Sequence, residues 1–148
     1  DYLKSLVVNK KKLNISSPGG NSCYLTAISN DLSYEDSYAI LVNSLIEDGD
    51  LIIYLSGSGN SMNLVKCARK AKSKFITQVS LTAYSGGALS EIVDIPIIVK
   101  VDDMEIAEDS QLIIFHYLKQ KLLNRLVKKD NKEIMPKYLK RTINDLVS

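Results

Sequence analysis

The sequence predicts an α/β domain built on a parallel sheet. Two observations carry this. Short apolar, β-branched runs alternate with stretches of helical period. The strongest run, Leu51-Ile52-Ile53-Tyr54-Leu55, is apolar on both faces, as a parallel strand covered by helices on each side would be. With 148 residues and 45% hydrophobic content, the chain can bury a core without a disulfide or metal staple.

Taken in order, residues 1–9 read as an amphipathic helix, with Tyr2, Leu3, Leu6 and Val7 apolar and Lys4, Ser5 and Asn9 polar. It starts at Asp1 without a cap or a methionine, so the chain is expected to be a fragment or the ordered part of a longer one. Lys10-Lys11-Lys12 reads as a solvated loop and Leu13-Asn14-Ile15 as a weak strand. Helices are expected near 22–29 and 35–46. The turn Glu47-Asp48-Gly49-Asp50 then leads into Leu51–Leu55, expected at the centre of the sheet. Further strands are expected at Gln78–Thr82 and Ile95–Val101, with Pro96 marking an edge or a strand start. Helices near 60–74 and 87–92 separate them, and a long one near 104–127 carries Leu112, Phe115, Leu122 and Leu126 at close to a 3.6 period. The expected organisation is one domain over 1–127 and a basic helical extension over 128–148, broken at Pro136.

Nineteen Lys+Arg against seventeen Asp+Glu give a net charge of +2, too near neutral to suggest a nucleic-acid binder. No stretch approaches the roughly 18 uninterrupted apolar residues of a membrane span. The opening residues lack the pattern of a secretory leader, and Cys23 and Cys67 stand far apart without a partner motif. A cytoplasmic protein is expected.

Chemistry concentrates in Ser56-Gly57-Ser58-Gly59-Asn60-Ser61, which follows the best strand and opens a helix. The first N–H groups of a helix lack intrahelical partners and its dipole makes that end partly positive. Glycines let the backbone approach an anion and serine hydroxyls add donors. Strand, Gly/Ser loop and helix N-terminus therefore make a phosphate cradle. A tight turn capped by serine is the plain alternative. There is no G-x-x-x-x-G-K-[ST], and Met62 stands where the third glycine of a dinucleotide fingerprint belongs.

The strand-SGSGNS-helix unit, the following Leu81-Thr82-Ala83-Tyr84-Ser85-Gly86-Gly87, and Thr26-Ala27-Ile28-Ser29-Asn30-Asp31 with Tyr34-Glu35 upstream resemble a sugar isomerase (SIS) domain of the phosphoheptose isomerase type. Glu105-Ile106-Ala107-Glu108 and His116 are similar to that family's last long helix. The resemblance implies a three-layer, flavodoxin-like parallel sheet with helices on both faces, and assembly as a homotetramer with sites between subunits. It implies interconversion of sedoheptulose 7-phosphate and D-glycero-D-manno-heptose 7-phosphate, a reaction used in making lipopolysaccharide. By the same carry-over, Ser56, Gly57, Ser58, Asn60 and Ser61 hold the sugar phosphate and Asp31 lies near the sugar chain. His116 and Glu108 act as catalytic groups or as ligands of a zinc ion.

The sequence also departs from that pattern. The family's earlier strand, its Gly-Asn-Gly-Gly-Ser loop and a helix with a His and a Glu are not present, so an N-terminal segment is expected to be missing. Gly57 stands where threonine is common, Glu108 where glutamine is usual, and Tyr84 where a charged residue is common. His116 is the sole histidine, and a lone histidine amid Ile113, Ile114 and Phe115 is also what a packing residue looks like. Two rivals follow. One is a non-catalytic SIS module that binds a phosphosugar or a protein. The other is an arabinose 5-phosphate isomerase, against which Ser58-Gly59-Asn60 stands in place of Ser-Gly-Glu.

Overall fold

The structure is a computed structural model that describes residues 14–128. The chain divides into two compact units, one of Ser17–Ile114 and one of Asp1–Ser16 with Phe115–Ser148. The first opens with a 3-10 turn at Pro18–Gly20, helix α1 (Ser22–Asp31), a second 3-10 turn at Tyr34–Asp36 and α2 (Ser37–Leu45). Strand β1 (Leu51–Leu55), α3 (Met62–Ala71), β2 (Thr77–Thr82), α4 (Gly87–Ile92) and β3 (Ile95–Ile98) follow. Helix α5 (Met104–Lys128) begins in the first unit and continues in the second.

The strands form a parallel sheet in the order β1-β2-β3, with Leu51 opposite Thr77 and Val79 opposite Ile95. The α/β class and the parallel sheet are therefore as expected. The central strand is not: among the described residues β1 lies at an edge, with Leu51 and Leu55 about half exposed, and β2 is central. Polar Gln78, Ser80 and Thr82 occupy one face of β2, all of them buried, so hydropathy alone does not mark this strand as the inner one of the three. Pro96 sits in β3, where its missing N–H faces no further strand among the described residues.

The face carrying Tyr54 packs against Val42 of α2, Val65, Cys67, Ala68 and Ala71 of α3, and Leu89 and Val93 at α4. The phenol of Tyr54 donates to Gln78 Oε1 at 2.8 Å and lies 3.9 Å from Cys67 Sγ. Burial pushes both the phenol and the thiol up, so each stays neutral and serves packing. Ser80 Oγ and Thr82 Oγ1 are buried without a partner. Leu81, of the opposite parity, is fully buried, and Gln111 of α5 donates from Nε2 to its carbonyl at 3.2 Å.

Local chemistry sets the boundaries. The expected helix over 35–46 is divided because Ser33 Oγ accepts from Asp36 N at 3.1 Å, closing a 3-10 turn before α2. Strand β3 stops at Ile98 rather than Val101, since Val99 N makes one last bond to Thr82 O and Val101 N then folds back onto Val99 O. Asn14 and Ile15 are not in a strand, so the weak strand at Leu13–Ile15 is not formed over its described part. The opening helix, the lysine run and the extension beyond Lys128 lie outside the described residues.

Candidate anion site

Strands β1 and β2 leave the sheet side by side, and their loops stay bonded. Ser56 N donates to Leu81 O at 3.1 Å and Ala83 N to Gly57 O at 2.7 Å. Beyond this the two loops interlock through glycines. Gly59 has φ +69°, and a Cβ on it would stand 2.0 Å from the carbonyl oxygen of Gly86. Gly87 has φ +56°, and a Cβ there would lie 2.4 Å from Ser58 O. Tyr84 also adopts a positive φ of 51°, a conformation that costs an L-residue roughly 1 kcal/mol or more. The second loop is thus held in shape by its contact with the first.

Each predicted loop residue has a distinct place. Ser56 is buried and its Oγ accepts from Gly59 N at 3.1 Å, shaping the turn from inside. Ser58 Oγ accepts from Asn60 N at 3.2 Å. Asn60 is the tie between loops: its Oδ1 accepts from Ala88 N in the first turn of α4 at 2.9 Å, while Nδ2 donates to Ser58 O at 3.3 Å. Ser61 is exposed and caps α3 with its backbone carbonyl, which accepts from Leu64 N and Val65 N; its hydroxyl makes no capping bond. The first turn of α3 contains no acidic residue. Hydroxyls and backbone amides therefore meet at a positive helix end, which is the chemistry that receives a phosphate.

The side-chain space at Gly57 is filled by Met104. A Cβ on it would stand 2.1 Å from Met104 Sδ and 2.8 Å from Met104 Cε. The first residue of α5 thus lies against the loop. Asp103 holds that helix end, accepting from Ile106 N through Oδ1 at 2.9 Å. Glu108 follows Met104 by four residues, on the same side of α5, and is exposed. His116 is exposed too, in the part of α5 that belongs to the other unit. Glu108 and His116 are each placed on α5 within their own units.

Asp31 ends α1, exposed, and accepts from Asn30 Nδ2 at 3.0 Å. It does not line the cleft beside the loop. That open cleft is bounded by Tyr34, Glu35, Tyr38, Leu55 and the start of α3 from Ser61 to Leu64. Sequence reasoning noted Tyr34-Glu35 without giving it a place in the site. Lys66 joins this wall together, bonding Asp36 Oδ1 at 2.9 Å and Glu35 Oε2 at 3.1 Å. The Ser33 hydroxyl and Lys66 hold the Asp36 carboxyl below its usual range, and the carboxylates hold Lys66 above its own. Lys66 is therefore committed to carboxylates. Among the described residues no three His, Cys, Asp or Glu side chains come together to hold a metal ion. Nor is any helix there long and apolar enough to cross a membrane.

No protein-family model matches the chain. It is 33% identical over 111 residues to a phosphoheptose isomerase of Helicobacter pylori, spanning 75% of this chain and 58% of that protein. It is 30% identical over 115 residues to the phosphoheptose isomerase of Mycobacterium tuberculosis, spanning 78% of this chain and 59% of that protein. The chain thus covers a little under three fifths of the curated relatives it matches. Two solved structures share the fold. A phosphoheptose isomerase from Francisella tularensis superposes with a TM-score of 0.73 at 24% identity, covering 76% of this chain and 61% of that one. One from Neisseria gonorrhoeae gives 0.76 at 20% identity, covering 84% and 67%. By sequence over about three quarters of its length, and by fold, the chain is similar to the phosphoheptose isomerases.

Proposed function

We propose that this chain carries the phosphate-holding part of an aldose–ketose isomerase acting on a sugar phosphate, with sedoheptulose 7-phosphate and D-glycero-D-manno-heptose 7-phosphate as the pair. The observation that carries the reading is the loop 56–61. It brings serine hydroxyls and backbone amides to the N-terminus of α3, at the carboxyl end of a parallel strand. Such a cradle holds the end of the sugar that does not react, so the carbons at the other end can be positioned for proton transfer.

In this reading a base takes a proton from C1 of the ketose while an acid protonates the carbonyl oxygen at C2, giving a cis-enediol. Loss of the O1 proton and delivery of a proton to C2 then yield the aldose. His116 is the acid/base group. Glu108 lies one turn beyond Met104, the residue that touches the loop, and takes part in the same proton transfers. A zinc ion would need ligands beyond Glu108 and His116, since among the described residues no three such side chains come together. Homotetrameric assembly with sites between subunits, and a cytoplasmic location, belong to the same reading.

The loop is tested by titrating the full chain with sedoheptulose 7-phosphate and following the phosphorus resonance. Ser58→Ala and Ser61→Ala are each expected to weaken binding by about tenfold, the scale of one hydrogen bond to a charged group. Unfolding midpoints should stay within about 3 °C of the parent, since neither hydroxyl holds the core. Undiminished binding in the double variant would remove the loop from the phosphate site.

A further inference from the structure

We infer that Met104 is a specificity-determining residue of the anion loop. Its thioether fills the side-chain space at Gly57, so one flank of the loop is apolar and offers the anion no donor. The inference rests on the proposed function of that loop. Three observations lead to it. Gly57 is not among the glycines with positive φ, so its backbone does not demand glycine. The space beside it is taken by a movable side chain: Sδ and Cε of Met104 stand where a Cβ on Gly57 would point. Met104 is itself 40% exposed, so it meets the loop on one side and solvent on the other.

The position also alters the donor set. Residues 56, 58 and 61 are serines, and a serine at 57 would continue the series. In its place lies a polarisable, uncharged thioether, which contacts carbon well and accepts hydrogen bonds weakly. Free phosphate gains nothing from such a flank, whereas a phosphate carried on a carbon chain gains apolar contact. Met104 thus favours an ester over inorganic phosphate. Because the thioether is the flexible end of its side chain, a residue introduced at 57 would displace it rather than unfold the loop.

The test is a double-mutant cycle on the full chain, with Gly57→Ser, Met104→Ala and the pair together, and Met104→Leu as the conservative variant. Affinities for inorganic phosphate and sedoheptulose 7-phosphate are read by phosphorus NMR, with thermal midpoints alongside. The parent is expected to prefer the ester, and Met104→Ala to shrink that preference at least about fivefold, while Met104→Leu retains it. Gly57→Ser alone should weaken ester binding at least about fivefold. The pair should bind inorganic phosphate more tightly than the parent, because the added hydroxyl then has room. An unchanged preference in Met104→Ala, or effects of the two substitutions that simply add, would overturn the role of Met104 and leave the loop reading intact. A parent that binds neither ligand would overturn the loop reading, and the role of Met104 with it.

Discussion

Gly59→Ala is expected to destabilise the protein by about 2–5 kcal/mol and to abolish binding of a phosphate ester. Two costs combine. The residue is held at φ +69°, where an L side chain pays roughly 1–2 kcal/mol. Its Cβ would also stand 2.0 Å from Gly86 O and 2.7 Å from Gly86 C, which are backbone atoms that cannot swing aside. Forcing such a contact into a packed region costs a further 1–3 kcal/mol or so. Relief would require parting the two loops, and with them the bond from Leu89 N to Gly59 O at 3.0 Å. A fall of roughly 8–15 °C in thermal midpoint is the expected reading. Gly20→Ala serves as the control, since a Cβ there meets nothing within 4 Å; it should change stability by less than about 0.5 kcal/mol. Equal effects of the two substitutions would mean that the interlock is not as described.

His116→Ala is expected to slow isomerisation by about 10²- to 10⁴-fold, the range ascribed to one general acid/base group. Affinity for the phosphate ester should remain within about threefold of the parent, because the proposed function assigns phosphate binding to the loop. The histidine is exposed, so the thermal midpoint should be nearly unchanged. These three readings separate chemistry from folding. A variant that turns over within tenfold of the parent would remove His116 from the proton transfers.

The fold class was legible because helices and strands differ in period, and α4 was placed at its observed limits, 87–92. The ranking of strands was not legible. Strand β2 hides Gln78, Ser80 and Thr82 on a buried face, and only the bond from Tyr54 to Gln78 Oε1 accounts for part of that polarity. The anion loop could be read from its glycines and serines, since their chemistry is local. Which atoms are spoken for could not be. The use of Asn60 as a tie to α4 depends on a second loop some 28 residues away, and the filling of the space beside Gly57 depends on Met104. Such long-range reasons leave no periodic trace in a sequence. The pairing of Lys66 with Glu35 and Asp36 was missed for the same cause, as it joins α3 to a turn 30 residues earlier.

The loop is proposed to serve an isomerisation rather than binding alone. It is tested most directly by incubating the longest available form of the protein with sedoheptulose 7-phosphate in D2O and following the sugar protons by NMR. The expected result is formation of the aldose with deuterium at C2, the mark of an enediol reprotonated from solvent-exchanged groups. A ketose that stays unchanged while its phosphate resonance still shifts would contradict the isomerase and leave a phosphosugar-binding module in its place.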